Sequence, residues 1–178
     1  QAFKDCRSLK SIDIPDSVTE IEECVCCGCA SLECINVDEN NTIYKSVDGV
    51  LYDKKMTSII CLPKHNKTTF IIPDNVTKIG KSAFDVCSSL KSVNVAKNNS
   101  VYKSVDGILY NNKLTSIIHF PSKHSNTSFV IPDSVTKIEE DAFSGCSSLV
   151  GIVIPDSVTK IGKSAFWGCS SLKSIVIP

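Results

Sequence analysis

Ten cysteines are the most reactive side chains of this 178-residue chain, which holds only three histidines and one methionine. Four of them crowd into the run Cys24-Val-Cys26-Cys27-Gly-Cys29. Dense thiolates are good zinc ligands, so this run is a candidate metal site. The even number of cysteines also permits disulfides, although the chain is long for a disulfide-stapled small domain. Which chemistry applies depends on where the fold places each sulfur.

A phosphate-binding loop is the next candidate, because Gly-Lys-Ser occurs at 80–82 and again at 162–164. The first glycine of such a loop is needed so that the backbone N–H groups can wrap around the phosphate. That position holds Asn75 in one copy and Ser157 in the other. The motif therefore does not predict nucleotide binding.

Histidine chemistry has little support in the sequence. His65 and His124 occupy equivalent loops, and no acidic residue stands beside either of them at short spacing. Neither a Gly-x-Ser-x-Gly elbow nor a His-Glu-x-x-His motif is present. A hydrolytic enzyme that uses these two histidines is therefore only a remote alternative. The sequence predicts no catalytic residue, no cofactor and no bound metal.

The sequence repeats itself with a period of 23 residues. Ile131-Pro-Asp-Ser-Val-Thr-Lys-Ile138 returns as Ile154-Pro-Asp-Ser-Val-Thr-Lys-Ile161. Longer elaborated units interrupt the period over approximately 38–73 and 96–132. Because no linker divides the chain, we expect a single array over residues 1–178.

Each short unit predicts a strand followed by a turn. The Leu-x-x-Ile-x-Ile segment alternates at its end and is β-branched, which is typical of a strand, and the proline after it ends the pairing. The Val-x-x-Ile-x-x-x-Ala-Phe segment is too short for a stable helix and predicts a short 3₁₀ or turn element. Stacked units bury apolar residues that one unit alone cannot bury. We therefore expect a β-rich solenoid with one parallel sheet and the turn elements on its other side.

Each elaborated unit predicts an inserted β-hairpin. In the first copy the apolar runs 48–52 and 57–62 flank a polar turn, and the same pattern returns over 106–120. Two such runs around a short polar segment are typical of a hairpin. The second run of each pair ends at Pro63 or Pro121, as the main strands do, so we expect it to join the main sheet.

The pattern Ile-Pro-Asp-Ser-Val-Thr-x-Ile-Gly-x-x-Ala-Phe-x-x-Cys-x-Ser-Leu-x-x-Ile closely resembles BspA-like leucine-rich repeats. The Val-Asp-Gly-Val-Leu-Tyr segment is similar to segments that interrupt those arrays. The resemblance covers essentially the whole chain and implies a right-handed leucine-rich-repeat coil. It also implies a cell-surface or secreted protein, some relatives of which resemble adhesins. Since the chain opens and closes inside a unit, we expect a fragment of a longer array.

The repeat register sorts the cysteines. One column is expected in the interior and comprises Cys6, Cys29, Cys87, Cys146 and Cys169. Neighbouring coils lie about 4.8 Å apart, so disulfides Cys6–Cys29 and Cys146–Cys169 are one alternative. Stacked buried thiols are the favoured alternative, because Cys87 has no adjacent match.

The remaining cysteines fall at other positions of the repeat. Cys26 replaces a core phenylalanine, whereas Cys24 and Cys27 match polar positions that should face solvent. Four sulfurs divided between two faces cannot form one tetrahedral site, which argues against zinc. Cys34 and Cys61 fall on the outward face by register, and we expect an exposed thiol pair there.

A partner would bind the outward residues of the strands. This predicted face comprises Ser11, Asp13, Asn36, Thr69, Ile71, Ser92, Asn94, Ser128, Val130, Val153 and Val176. It is polar at one end and becomes apolar toward the C-terminus. We expect a protein or glycan ligand on another cell or on matrix, with a purely structural spacer as the alternative.

Charge and hydropathy exclude other partners. The chain has 19 basic and 19 acidic residues, for a formal net charge of zero. A strongly cationic surface for nucleic acid is therefore not expected. No apolar run approaches the roughly 20 residues of a membrane helix, so no direct membrane insertion is expected. The balance also implies that a partner would be held by area and shape, with little electrostatic steering.

Overall fold

The structure, a computed structural model, describes residues 2–64 and 68–177. The chain folds as a β-solenoid of about 6 turns, and no helix occurs within the described ranges. The fold class predicted from the repeat is confirmed. The strands are β1 (Ser11–Ile14), β2 (Cys34–Val37), β3 (Tyr44–Val47), β4 (Val50–Asp53), β5 (Ser58–Cys61), β6 (Thr69–Ile72), β7 (Lys78–Ile79), β8 (Ser92–Val95), β9 (Tyr102–Val105), β10 (Ile108–Asn111), β11 (Ser116–His119), β12 (Ser128–Val130), β13 (Lys137–Ile138), β14 (Gly151–Val153) and β15 (Lys160–Ile161).

The chain comprises two compact units. Unit 1 is Gln1–Asn66 with Asn75–Ser88, and unit 2 is Lys67–Asp74 with Ser89–Pro178. Unit 1 contains β1 to β5 and β7, whereas unit 2 contains β6 and β8 to β15. A single array over 1–178 stays a prediction.

Parallel pairing follows directly from the repeat period. β1 pairs with β2, β6 with β8 and β12 with β14, and each pair is parallel. Ser11 lies opposite Cys34, Thr69 opposite Ser92 and Ser128 opposite Gly151. Since these partners are one period apart, every side chain stands beside its own repeat equivalent. Inward apolar residues therefore stack on inward apolar residues, as Ile12 on Ile35 and Phe129 on Ile152, and the outward positions also form columns.

The expected single parallel sheet is instead three separate pairs among the described residues. The reason is the elaborated unit that follows β2 and β8. Ile35 N–H donates to the Gly49 carbonyl at 2.9 Å, and Val93 N–H donates to the Gly107 carbonyl at 2.8 Å. The hairpin turn therefore occupies the hydrogen-bonding edge of β2 and of β8, to which a further parallel strand would have to pair. Gly107 could not be replaced by a residue with a side chain, because a Cβ at this position would lie 2.7 Å from Ser92 Cβ.

Each elaborated unit forms a three-stranded antiparallel meander. β4 pairs with β5 and β10 with β11, which agrees with the predicted hairpins. A first hairpin, β3–β4 in unit 1 and β9–β10 in unit 2, was not predicted. Its turn in unit 1 is Asp48-Gly49, with φ of 51° and 77°. Asp-Gly is a strong hairpin signal because both central residues of a tight hairpin turn need positive φ.

The last strand of each meander joins a second ladder, so the expectation that it joins the main sheet is wrong. β5 pairs in parallel with β7, β11 with β13, and β13 with β15. The two-residue Lys-Ile strands lie where the sequence predicted only a 3₁₀ or turn element. The Ala-Phe part that follows is a series of turns, and no 3₁₀ helix occurs in residues 2–64 and 68–177.

Each unit buries its own core. In unit 1 the core comprises Ile12, Ile14, Cys26, Cys29, Leu32, Ile35, Tyr44, Leu51, Cys61 and Val86. In unit 2 it comprises Ile108, Tyr110, Ile117, Phe120, Ile131, Val135, Ile138, Ala142, Phe143, Cys146, Leu149, Ile152, Ile154 and Ala165. These are the inward positions of strands and turns, so the repeat pattern accounts for most of them.

Candidate functional site

The outward strand positions of unit 1 form a polar surface. Ser11, Asp13 and Asn36 are exposed, as predicted, and Cys34 is half-buried. Asn36 Nδ2 donates to Asp13 Oδ1 at 2.7 Å across the strand pair. This bond pairs the polar groups of the two outward side chains with each other.

The outward strand positions of unit 2 are more apolar. Ile71 is 58% exposed, Val130 68% and Val153 58%, and Val130 lies directly opposite Val153. The predicted residues Thr69, Asn94, Ser128 and Val176 are exposed as well. Ser92 is half-buried, and its Oγ lies 2.9 Å from Thr69 Oγ1. We name Ile71, Val130 and Val153 the apolar strip. Its role in binding stays a prediction.

A polar groove lies beside the apolar strip in unit 2, between the end of β8 and the meander. Its lining includes Asn94, Lys97, Lys103, Asp106 and Asn112, and its volume is about 670 Å³. The groove offers amide, ammonium and carboxylate groups within one depression. Such a set of donors and acceptors suits hydroxyl-rich ligands.

The equivalent region of unit 1 holds a lysine where the groove of unit 2 has Asn112. Lys54 Nζ donates to the Asn41 carbonyl at 2.5 Å and to the Glu39 carbonyl at 3.3 Å. Asn112 is shorter and uncharged. The two units therefore differ at this position: Lys54 bonds two backbone carbonyls in unit 1, whereas Asn112 lines the groove in unit 2.

The cysteine column has a recurrent hydrogen-bonding role. Cys29 Sγ donates to the Phe3 carbonyl at 2.9 Å, and Cys87 Sγ to the Leu62 carbonyl at 3.1 Å. In unit 2 Cys146 and Cys169 do the same, to Phe120 at 3.4 Å and Phe143 at 3.1 Å. All ten cysteines are free thiols. The column thus joins successive coils through thiol-to-carbonyl bonds.

Cys6 does not match its predicted interior position. It is exposed, whereas Cys29, Cys87 and Cys146 are buried and Cys169 is half-buried. The segment around Cys6 packs against the coil that holds Cys27, since Asp5 N–H donates to the Cys27 carbonyl at 2.8 Å, and this contact leaves the Cys6 side chain in water.

Cys34 and Cys61 do not form the exposed thiol pair that the sequence predicts. Cys61 is only 5% exposed, because its strand β5 belongs to the meander and pairs with β7. It does not pair with β2, the strand of Cys34. The Cys61 sulfur hydrogen-bonds Cys26, which lowers the pKa of Cys26. The same bond, together with burial, raises the pKa of Cys61. The structure therefore brings together a buried pair, Cys26 and Cys61, that the register did not indicate.

Cys24 and Cys27 are half-buried rather than fully outward. Cys24 Sγ donates to Ser82 Oγ at 3.4 Å. Burial, the neighbouring Cys24 and the Asp85 carboxylate raise the pKa of Cys27 to about 12. Among the residues that the structure describes, no three His, Cys, Asp or Glu side chains converge as metal ligands.

His119 and His124, the two histidines of unit 2 that the structure describes, are both buried. His124 Nε2 lies 2.8 Å from the Asp106 carbonyl, and Asn126 N–H donates to His124 Nδ1. Its Nε2 must then carry the proton, and both nitrogens are used by backbone groups. Burial lowers the pKa of His119 to about 3, so this ring is neutral at pH 7. His65, the repeat equivalent of His124, lies outside the described residues.

Comparison with known sequences gives one family. A family model described as "BspA type Leucine rich repeat region" matches the chain in 6 copies, over residues 1–68, 60–126 and 119–178. These matches span the repeat from end to end. No curated protein sequence matches the chain. Within residues 2–64 and 68–177 there is also no helix of the length and apolarity that crossing a membrane requires.

Solved structures of leucine-rich repeat proteins are similar to the chain. A leucine rich cell surface protein from Faecalibacterium prausnitzii is 28% identical with a TM-score of 0.65, and the match covers 99% of this chain and 43% of that one. A leucine-rich repeat protein from Eubacterium ventriosum is 28% identical with a TM-score of 0.56, over 94% and 36%. The pneumococcal vaccine antigen PcpA shares the fold, at 23% identity and a TM-score of 0.64, over 96% and 40%. The chain spans about two fifths of the length of these proteins.

Proposed function

The chain belongs to the BspA-type leucine-rich repeat family, and on this premise we propose that it is a non-catalytic binding module of a cell-surface or secreted protein. It adheres to a protein or glycan ligand on another cell or on matrix. Repeat families of this kind are generally binding modules, because a stacked array offers a broad surface rather than a deep catalytic cleft. The similarity to a leucine rich cell surface protein from Faecalibacterium prausnitzii supports the location.

The observation that carries the proposal is the apolar strip. Ile71, Val130 and Val153 each leave more than half of the side chain in water. Burying such a side chain contributes about 1.5–3 kcal/mol, which is a sizeable share of the binding energy of a modest protein complex. The three positions stand in repeat columns on short rigid strands, so their spacing is set before a ligand arrives. Since the chain has zero net charge, this binding should depend little on salt.

A binding experiment tests the strip. The recombinant chain is applied to immobilised collagen, fibronectin and laminin, and to mucin glycans, and binding is measured by surface plasmon resonance. Val130→Glu with Val153→Glu should weaken protein binding at least roughly 30-fold, because two charges enter an apolar contact. Ser11→Glu in unit 1 is the control, since it adds a charge at an exposed strand position outside the apolar strip. Equal binding by both variants would exclude the apolar strip as the site, and no binding of the unmodified chain to any of these surfaces would favour the structural spacer.

A glycan is the second ligand class, and the polar groove favours it. Asn112→Lys introduces the residue that unit 1 holds at the equivalent position, Lys54. We expect this variant to lower mucin-glycan binding and to leave protein binding at the apolar strip unchanged. Retained glycan binding in Asn112→Lys would exclude the groove as the glycan site.

A further inference from the structure

A turn in unit 1 places two half-buried cysteines at its ends. Cys27 N–H donates to the Cys24 carbonyl at 3.2 Å, which is the bond between the first and fourth residues of a β-turn. In such a turn the two Cα atoms lie within about 7 Å, and disulfides span Cα separations of about 4.4–6.8 Å. We propose that Cys24 and Cys27 form a reversible dithiol–disulfide site that low-molecular-weight disulfides around the protein oxidise.

The same turn recurs without cysteines in other coils. Asp85 N–H donates to Ser82 at 3.0 Å, Ser144 N–H to Asp141 at 2.9 Å, and Trp167 N–H to Ser164 at 2.9 Å. The first residue has positive φ in each of these four copies: 58° at Cys24, 54° at Ser82, 58° at Asp141 and 54° at Ser164. The backbone geometry therefore belongs to the repeat, whereas the two sulfurs belong to this coil alone. A pair of thiols is not needed to make the turn.

The surroundings assign different roles to the two thiols. Cys27 stays protonated at neutral pH, because burial, Cys24 and Asp85 raise its pKa. Asp85 is held in place because its Oδ2 accepts the Gly28 N–H at 2.9 Å. Other charges of the neighbourhood are Lys81 and Glu23, which form an exposed ion pair at 3.2 Å. Since a thiolate is the attacking species, the raised pKa of Cys27 disfavours that thiol as the first nucleophile, and we assign the first attack to Cys24 and the resolving step to Cys27.

The reaction balances with an oxidised disulfide RSSR as the oxidant. Cys24 loses its proton to water, and its sulfur attacks RSSR, so that one RS⁻ leaves and a mixed disulfide forms. Cys27 then loses its proton and attacks the Cys24 sulfur, so that a Cys24–Cys27 bond forms and the second RS⁻ leaves. The two protons convert the leaving groups into two RSH. Two electrons pass from the protein thiols to RSSR, and excess reduced thiol reverses the sequence.

Other thiols of the molecule are less suited to this reaction. Cys26 and Cys61 are 4% and 5% exposed, so an external disulfide cannot reach them without opening the core. Cys146 and Cys169 hydrogen-bond each other, but Cys146 is only 1% exposed, so an external disulfide cannot reach its sulfur. Cys34 is half-buried like Cys24 but is part of no such turn, which makes it the matched control.

Oxidation of the reduced chain with glutathione disulfide tests the site. Samples are quenched with acid, free thiols are blocked with N-ethylmaleimide, and the tryptic peptide 11–45 is fragmented by mass spectrometry. We expect that peptide to lose two hydrogens, with label on Cys26, Cys29 and Cys34 and none on Cys24 and Cys27. Added dithiothreitol should restore both labels.

Three variants separate the roles. Cys27→Ser should accumulate a glutathione adduct on Cys24, whereas Cys24→Ser should leave Cys27 unmodified. Serine occupies these turn positions in other coils, at Ser82 and Ser144, so both variants are compatible with the fold. Asp85→Asn keeps an oxygen that accepts the Gly28 N–H and removes the negative charge that raises the pKa of Cys27. The Cys27 thiolate should then form more readily, and the mixed disulfide on Cys24 should decay roughly three- to tenfold faster.

Two results would overturn the proposal. One is oxidation of Cys24 and Cys27 no faster than the modification of Cys34. The other is a disulfide mapped to Cys26–Cys61 or to Cys146–Cys169 in place of Cys24–Cys27.

Discussion

The two meanders, one in each unit, share their polar anchors and differ in the side chains that fill the core beneath them. Asn41 in unit 1 and Asn99 in unit 2 are both buried and each bonds backbone groups on two segments. Ser46 Oγ donates to the Ile35 carbonyl at 2.5 Å, and Ser104 Oγ to the Val93 carbonyl at 2.6 Å. These bonds hold the meander on the strand edge in the same way in both units.

The cores beneath these anchors are chemically different. In unit 1 sulfur-bearing residues fill the space, with Cys26, Cys29 and Cys61 all buried. In unit 2 the rings of Phe120, Phe143 and Phe166 stack with centroid separations of 5.1 Å at each step. The two units thus share turns and backbone anchors, while their interiors differ in packing chemistry and both fill the space.

The largest test of this difference is Phe143→Ala. Phe143 is fully buried between two other rings, so the variant should lose about 3–5 kcal/mol of unfolding free energy in unit 2. Cys26→Ala, at the same repeat position in unit 1, should lose only about 1 kcal/mol because one sulfur is removed. Hydrogen exchange with mass spectrometry, resolved by unit, measures both. Equal losses would mean that the two cores do not differ in energy.

The shared anchors are tested by Asn99→Ala. Asn99 Nδ2 donates to the Pro73 carbonyl at 2.7 Å, and its Oδ1 accepts from Val101 and Tyr102 N–H. Loss of these partners leaves buried backbone groups unsatisfied and should cost about 2–4 kcal/mol. Asn41→Ala should cost a similar amount in unit 1. Asn98→Ala, at an exposed neighbour, should change urea-induced unfolding by less than about 1 kcal/mol.

The pH dependence of stability should separate the two units. Burial depresses the pKa of His119 from its ordinary 6.5 to about 3, so the native ring stays neutral while the unfolded chain takes up a proton. Stability from this residue is present above pH 6.5 and is lost as pH falls from 6.5 toward 3, by about 1.4 kcal/mol per pH unit. His119→Cys, the residue found at the equivalent Cys61, should remove this slope. An unchanged slope in thermal melts at pH 6.5, 5.5 and 4.5 would contradict the assignment.

The smallest expected effect on stability belongs to Asn112→Lys. Lys54 of unit 1 bonds two carbonyls, and the introduced lysine should reach the equivalent carbonyls of unit 2. We expect the free energy of unfolding to change by less than about 0.5 kcal/mol, because the side chain is at the surface. A large destabilisation in the same urea titration would show that the two grooves are not equivalent.

The repeat alone was enough for the solenoid, for the parallel pairing of strands one period apart, and for the outward direction of Ile71, Val130 and Val153. Periodicity supplies these features because each coil must bury the same positions against the next. The β4–β5 hairpin was also visible as two apolar runs. The first hairpin was not assigned, although Asp48-Gly49 carried a recognised turn signal.

Tertiary structure alone decided which strand lies beside which once the period was interrupted. Cys34 and Cys61 share an outward register, yet β5 pairs with β7, so Cys61 is buried against Cys26. Cys24 and Cys27 show the opposite case, because a local turn of the repeat brings them together, and tertiary structure adds only their contacts with Ser82 and Asp85. Local spacing determines which face a side chain occupies, because that depends on backbone geometry. Which side chains lie next to it across the coil depends on hydrogen bonds between segments that are distant in sequence. Where the period is interrupted, the repeat pattern does not specify these hydrogen bonds.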